Sequence, residues 1–484
     1  MILVPELLYQ DGRFVPGQSL TVDDATGVIT RVGSLLRAEP ADAGAAEGPD
    51  IRPDDVVHLP GKALMPGFVN AHSHAFQRLI RGRTHWKEPG PDRSDFWNWR
   101  EAMYRAALPL EPEDVHTACC FCFGEMLRAG ITTVAEFHYL HRDRDGRRYA
   151  DRNEMAWRVL AAAEDVGIRI VLLNVCYATG EIGGPLRPEQ QRFTSTLDGY
   201  LARTEALATS EPVRRPTVSV GVAPHSIRAV PRDWLPELHG WAEARDMPFH
   251  MHVSEQPAEV EACREAFGVR PVELLDDDGL LDERLTAVHA THLTEDEVSM
   301  LGQVGAMVCA CPTTERDLGD GFLPGRKLLD AGAGICLGTD SHAQIDPFDE
   351  MRLLEHHERL RRLERVVMTG AEEDGELRVA PVLLDAATAQ GARSLRLSVG
   401  SIEPGRLADL VAIDLEHRAL AGTAPDVVAE ALALAAPPDV VTDVWVGGER
   451  RVEDRRLPGE DDARRAFDEL SLRLFPPRSP RRGD

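Results

Sequence analysis

The sequence predicts an α/β protein, a (β/α)8 TIM-like barrel with a small β-sandwich domain formed by both termini. Three observations lead there. Eight apolar runs rich in β-branched residues alternate with stretches of helical period. Those runs are apolar at nearly every position, as in strands covered on both faces. Both ends of the chain read as short strands and tight turns, and the long middle does not.

Taken in order, residues 19–24, 27–32 and 55–59 are β-rich pieces divided by Asp, Gly and Pro turns. Residues 37–54, rich in Ala, Pro, Glu and Asp, read as a solvated loop. The eight runs follow at 63–71, 132–137, 169–177, 217–224, 248–253, 285–290, 305–311 and 334–338. Between them lie helical patterns such as 156–166, where apolar residues recur on one face. Segments 400–414 and 443–450 return to β character, so both ends can share one small unit. The last dozen residues, with Pro476, Pro477 and Pro480 among arginines, predict a disordered tail. The expected organisation is therefore 1–62 plus 398–457 for the β-sandwich, 63–397 for the barrel, and 458–484 for a C-terminal helix and tail. A doubly wound open sheet would share the alternation, but no Gly-rich dinucleotide or phosphate loop is present.

With 484 residues, 43% hydrophobic and 28% charged, the chain has room for a large barrel with an accessory piece. Its net charge of −26 repels nucleic acid and anionic membranes, and neither is an expected partner. No apolar stretch reaches membrane-spanning length, and residues 1–8 lack a basic signal-peptide start, so a cytoplasmic location is expected. The eight cysteines lie mostly in apolar runs and read as buried free thiols.

The polar residues that matter fall at the C-terminal ends of the runs, the edge where a barrel gathers its active site. They are His72 and His74 after the first, Glu136 and His138 in the second, and His225 and Arg228 after the fourth. His252 and Glu255 end the fifth, His289 and His292 the sixth, Asp340 and His342 the eighth. Positions i and i+2 of a strand share a face, so His72 and His74 can hold one cation together. Three imidazoles and a carboxylate suit a catalytic divalent ion with a position left for water; His72, His74, His252 and Asp340 are the expected ligands.

A His-x-His pair, two later strand-end histidines and an aspartate on the eighth strand resemble the amidohydrolase superfamily, over nearly the whole chain. Within it, residues 73–78, 95–104, 136–141, 311–315, 318–321 and 340–342 closely resemble the formimidoylglutamate deiminases of histidine degradation. The resemblance implies hydrolysis of N-formimino-L-glutamate to N-formyl-L-glutamate and ammonia, by a homodimer acting on a small anionic substrate. Binuclear relatives bridge their metals with a lysine on a middle strand. This chain has only Lys62, Lys87 and Lys327, so one divalent ion per chain, most simply Zn2+, is expected.

The resemblance also implies roles. Asp340 would take the proton of the attacking water, Glu255 would carry a proton to the leaving nitrogen, and His289 would stabilise developing charge. His292 reads as structural. Arg228 and Arg100 are the expected carboxylate clamps, since guanidinium matches carboxylate in a fork. Gln77, Tyr139 and His225 would contact the substrate, with Arg78, Arg81 and Arg83 as alternative clamps. Two rival readings stand beside this one. A guanine-like or other heterocyclic amine could be the substrate, and a non-catalytic scaffold on the same fold would have lost ligands that this chain retains.

Overall fold

The computed structural model describes residues 1–34, 56–86, 96–371 and 375–476. The loop read at 37–54 and residues 477–484 of the tail lie outside the described residues, as does Lys87. The C-terminal helix forms over Glu460–Leu474.

Strands from both ends make one mixed sheet: β1 (Ile2–Gln10), β2 (Arg13–Pro16), β3 (Ser19–Val22), β4 (Ile29–Gly33) and β5 (Val56–Pro66) from the N-terminal part. Eight strands, β6 to β13, then form the barrel: Phe68–Ser73, Ile131–His138, Arg169–Cys176, Val218–Pro224, Phe249–Val253, Leu285–His289, Met307–Ala310 and Gly334–Leu337. A short hairpin, β14 (Gly370–Ala371) and β15 (Leu377–Arg378), precedes β16 (Leu410–Asp414), β17 (Val441–Val446) and β18 (Glu449–Val452). In the terminal sheet the order is β18-β17-β16-β5-β1-β3-β4, with β2 on β1. All eight strands are hydrogen-bonded into this one sheet. Residues alternate across it: Leu8, Leu64, Leu410 and Trp445 belong to its own apolar core. Leu7, Ala63, Met65, Val411 and Ile413 belong to the main core of the molecule.

The barrel strands pair in sequence order and in parallel. Closure comes from the strand ends, where Ser73 bridges Asp340. His72 O accepts the N–H groups of Thr339 and Asp340 at 3.2 and 3.0 Å, and His74 N–H donates to Asp340 O at 3.0 Å. The sheet is thus a barrel and not an open doubly wound sheet.

The first apolar run, expected as one barrel strand over 63–71, is divided. Residues to Pro66 pair with β1 and β16, and the barrel strand starts at Phe68. Gly67 is the crossing point. A Cβ there would meet the Thr132 side chain at 2.3 Å. Its N–H donates to Asp409 O at 2.9 Å, so the backbone of both units meets at this residue. Both sheets are apolar, and hydropathy alone cannot mark the change.

Helices follow the strands and pack outside them. Pro112–Arg128 begins with Pro at its first turn and a Glu111–Asp114 capping box, and buries Val115, Cys119, Cys122 and Met126 along one stripe. Glu154–Val166 realises the pattern read at 156–166 and stops at Gly167, φ 83°. The eight cysteines are all free thiols, and all but Cys120 are buried. Among the described residues no helix is long and apolar enough to cross a membrane.

The barrel floor is tied to the terminal sheet by a buried bidentate pair. Arg169 Nε and Nη2 donate to Asp409 Oδ2 and Oδ1 at 2.7 and 2.8 Å, and Gly447 N–H adds a third bond at 2.7 Å. Removing one partner leaves a buried guanidinium without a counter-charge. Asp409→Ala should therefore cost about 3 kcal/mol of stability, read as a lowered denaturation midpoint by circular dichroism. A midpoint unchanged within error would show that the pair is dispensable.

Candidate active site

The same hydrogen bonds that close the barrel assemble its chemistry. Joining β6 to the segment after β13 sets His72, His74 and Asp340 side by side, and His252 reaches them from β10. One donor atom from each of the four lies within 4.8 Å of the others, and all four residues are buried. His72 Nε2 and His74 Nε2 are 3.4 and 3.3 Å from Asp340 Oδ1, and His72 Nε2 is 3.1 Å from His252 Nε2.

The tautomers follow from what lies behind the rings. His74 Nδ1 donates to Phe137 O at 3.0 Å and His252 Nδ1 to His225 O at 2.8 Å. A carbonyl only accepts, so each Nε2 turns a lone pair into the site. Burial pushes His72 down to about 3 and holds His74 and His252 below the usual imidazole range. Burial acts to raise Asp340, but its bond to His72 and the surrounding imidazoles outweigh that and keep it below the usual carboxylate range. Neutral imidazoles with converging lone pairs and an ionised carboxylate are a donor set that repels itself when empty and suits a divalent ion. Lys62 is in the terminal sheet with Asp443, and Lys327 pairs with Glu295, so neither reaches this site.

Beside the cluster of His72, His74, His252 and Asp340 stands a group of ionisable side chains around His289. His289 Nε2 is 3.7 Å from Glu255 Oε1 and 3.9 Å from Asp340 Oδ2, and its Nδ1 is 3.4 Å from Glu315 Oε1. Burial opposes protonation of His289, but the three carboxylates outweigh it and push the ring up to about 10. Ser254, His289, Ala290, Asp340 and His342 all adopt left-handed backbone, with φ between 44° and 71°. Non-glycine residues rarely do so, and a cluster of them at the strand ends marks a geometry imposed by the site.

These groups open into a cavity of about 450 Å3, the size of a small-ligand site. Every expected substrate contact lines it. Gln77 Nε2 donates to Tyr139 Oη at 2.9 Å, while its Oε1 is buried and unpartnered. His225 packs against Tyr177, with ring centres 4.9 Å apart. Arg100 lies over the Trp97 ring at 4.4 Å and its Nε has no partner. Arg228 is more constrained than its sequence context suggests. Its Nη2 donates to Glu255 Oε2 at 3.1 Å, and its Nε is 3.6 Å from Glu259 Oε2.

The alternative arginines point elsewhere. Arg78 forms a fork with Glu125 at 2.7 Å and donates to His342 O, Arg81 is near the same glutamate, and Arg83 stacks on Phe475. His292 Nε2 bonds Asp320 O at 2.8 Å, a structural contact. Trp97, Tyr104, Tyr177 and Phe193 form an aromatic wall of the cavity. Sequence reasoning missed Glu259, Tyr177 and Phe193, and it assigned no role to Glu315, Trp97 and Tyr104 although they lie in the segments that carry the resemblance. It also gave no role to Glu136, whose carboxylate accepts from Ser73 Oγ at 2.5 Å and Ala75 N–H at 2.8 Å and so holds the His72–His74 turn. Burial raises Glu136 to about 8 against those two bonds. Its place at a strand end, facing the His-x-His turn, was the available signal.

A parallel barrel with three imidazoles and an aspartate buried at its C-terminal edge is the arrangement of a metal-dependent hydrolase. Residues 63–451 match the model of the amidohydrolase family. The chain is 38% identical over 422 residues to formimidoylglutamate deiminase of Pseudomonas aeruginosa, covering 86% of this chain and 91% of that protein. Its fold superposes on an amidohydrolase from Brucella melitensis with TM-score 0.85 and 33% identity, covering 98% and 99% of the two chains. It also superposes on an adenosine deaminase from Xanthomonas campestris solved with bound zinc, at TM-score 0.77 and 28% identity, covering 97% and 98%. The chain belongs to the amidohydrolase family. Within it, the chain is a deaminase, a hydrolase acting on carbon–nitrogen bonds.

Proposed function

We propose that the substrate is N-formimino-L-glutamate, hydrolysed to N-formyl-L-glutamate and ammonia. The observation that carries this reading is the pair of guanidinium groups, Arg100 and Arg228, lining the cavity that also holds the four-ligand cluster. A dicarboxylate substrate in a protein of net charge −26 needs such local cations. The 38% identity to a formimidoylglutamate deiminase supports the same substrate.

One divalent ion per chain, zinc by the chemistry of its donors, would be held by His72, His74, His252 and Asp340 and would supply Lewis-acid activation of water near neutral pH. The remaining work falls to this chain's own residues. Asp340 accepts a proton from the attacking water, whose oxygen bonds to the formimino carbon as the C=N double bond becomes single. Protonated His289 donates to the oxygen as charge gathers on it. Glu255, 3.7 Å from His289, delivers one proton to the imine nitrogen as the C–O bond forms. The proton held by Asp340 then passes to the same nitrogen, which departs as ammonia while the hydroxyl returns its proton to Glu255 and the carbonyl forms. Arg228 binds a substrate carboxylate and shares its charge with Glu255 and Glu259, and Arg100 binds the other. Gln77 Oε1, Tyr139 and His225 orient the formimino group. A homodimer in the cytoplasm completes this proposal.

Arg228→Met should lower kcat/KM for N-formimino-L-glutamate by about 100-fold, the range for truncating one member of a buried charge pair. The loss should shrink sharply for a formamidine lacking carboxylates. Activity within a few-fold of the parent protein would exclude Arg228 as a clamp. The aromatic wall favours a second reading, stacking of a heterocyclic amine as in an adenosine deaminase, which would tolerate that substitution.

A further inference from the structure

On the far side of one cavity wall lies a second, small cleft lined by Arg142, Arg148, Arg152, Arg203, Ser195 and the start of the helix Leu197–Ala208. The wall is the segment 193–196. Phe193 faces the active-site cavity, and the next three residues face the arginines.

Four arginines converge there without a counter-charge. Among the described residues none of the four has a carboxylate within 4.0 Å, although acidic residues outnumber basic ones 80 to 54. Their neighbours Arg144 and Arg147 do pair, with Glu111 and Asp145. Arg203 is 7% exposed, and its Nε and Nη2 have no hydrogen-bond partner. Burial and the nearby Arg142 and Arg148 push it down to about 10, with Tyr200 and Cys176 opposing. Leaving a guanidinium buried and unsatisfied among like charges is costly unless something of opposite sign is bound. The Ser195 hydroxyl is buried and unpartnered too. The 12-residue helix presents its positive dipole end at the same place, with Thr196 as N-cap.

We propose that this cleft binds a small inorganic oxyanion of the phosphate or sulfate type, separately from the active site. Guanidinium forks match oxyanion geometry, and helix N-termini add N–H groups to it. The enclosed space of about 20 Å3 takes one or two oxygen-sized groups, so a single oxyanion would enter by one edge and keep the rest at the mouth, and a nucleotide is excluded. The ion would neutralise the four arginines and brace the wall on which Phe193 sits.

The test is calorimetric titration of the metal-loaded protein with inorganic phosphate, in a chloride-free, phosphate-free buffer of low ionic strength. The comparison is with the double variant Arg148→Gln/Arg152→Gln, whose two side chains are exposed and take no part in the proposed chemistry. One saturable site is expected in the parent protein, weakened at least about tenfold in the variant, with kcat/KM unchanged. Absence of saturable binding overturns the proposal. So does an affinity that falls by less than that factor, since the ion would then be bound elsewhere, as at Arg100 and Arg228.

Discussion

Asp340→Asn should reduce turnover by at least about 10^4-fold, roughly 5.5 kcal/mol of transition-state stabilisation. The substitution keeps the side-chain volume of a residue that is 5% exposed, so packing is spared. What it removes is charge. Asp340 is the only carboxylate in the four-ligand cluster and the acceptor for the proton of the attacking water in the proposed chemistry. Asn cannot be that acceptor, and its neutral amide leaves three imidazoles to hold a dication without an anionic donor. Metal content of the purified variant, by elemental analysis, should fall alongside activity. A variant that retained more than about 1% of turnover would remove Asp340 from the chemistry.

Glu255→Gln should lower kcat by about 10^3-fold with metal content unchanged, and this pairing of results separates a proton carrier from a ligand. Glu255 is 3.7 Å from His289 and outside the four-ligand cluster. Gln can still accept the bond that Arg228 Nη2 makes at 3.1 Å, and Glu259 continues to balance that guanidinium. Geometry is thus kept and the transferable proton is lost. Loss of metal, or kcat within tenfold of the parent protein, would contradict the assigned role.

The polar edge of the barrel was legible in the sequence because its residues repeat one rule. Each polar group follows an apolar run, so His72, His74, His252, His289 and Asp340 can be placed on one edge without knowing any distance. The two-sheet transition at Gly67 was not legible. The run from Ala63 to Ala71 is apolar at nearly every position because each half is covered on both faces, by different partners. Only the close approach of Thr132 and the backbone of Asp409 explains why glycine stands there.

The polar environment of the ligands was also out of reach. Arg228 reads as an unpaired clamp until the chain is folded, because Glu259 sits one helical turn beyond Glu255, at the start of the following helix. Glu315 approaches His289 from 26 residues away. The aromatic wall comes from loops and a helix whose order in space the strand pattern does not encode. Contacts of this kind depend on which loops lie over the same mouth, and periodicity within a segment carries no information about that.

Ammonia release under identical conditions from N-formimino-L-glutamate, N-formimino-L-aspartate, guanine and adenosine tests the substrate assignment most directly. Recognition of two carboxylates by cavity-lining guanidinium groups predicts a kcat/KM for N-formimino-L-glutamate at least about 10^3-fold above that for either heterocycle. A heterocyclic amine deaminated as fast as N-formimino-L-glutamate, or faster, would contradict it.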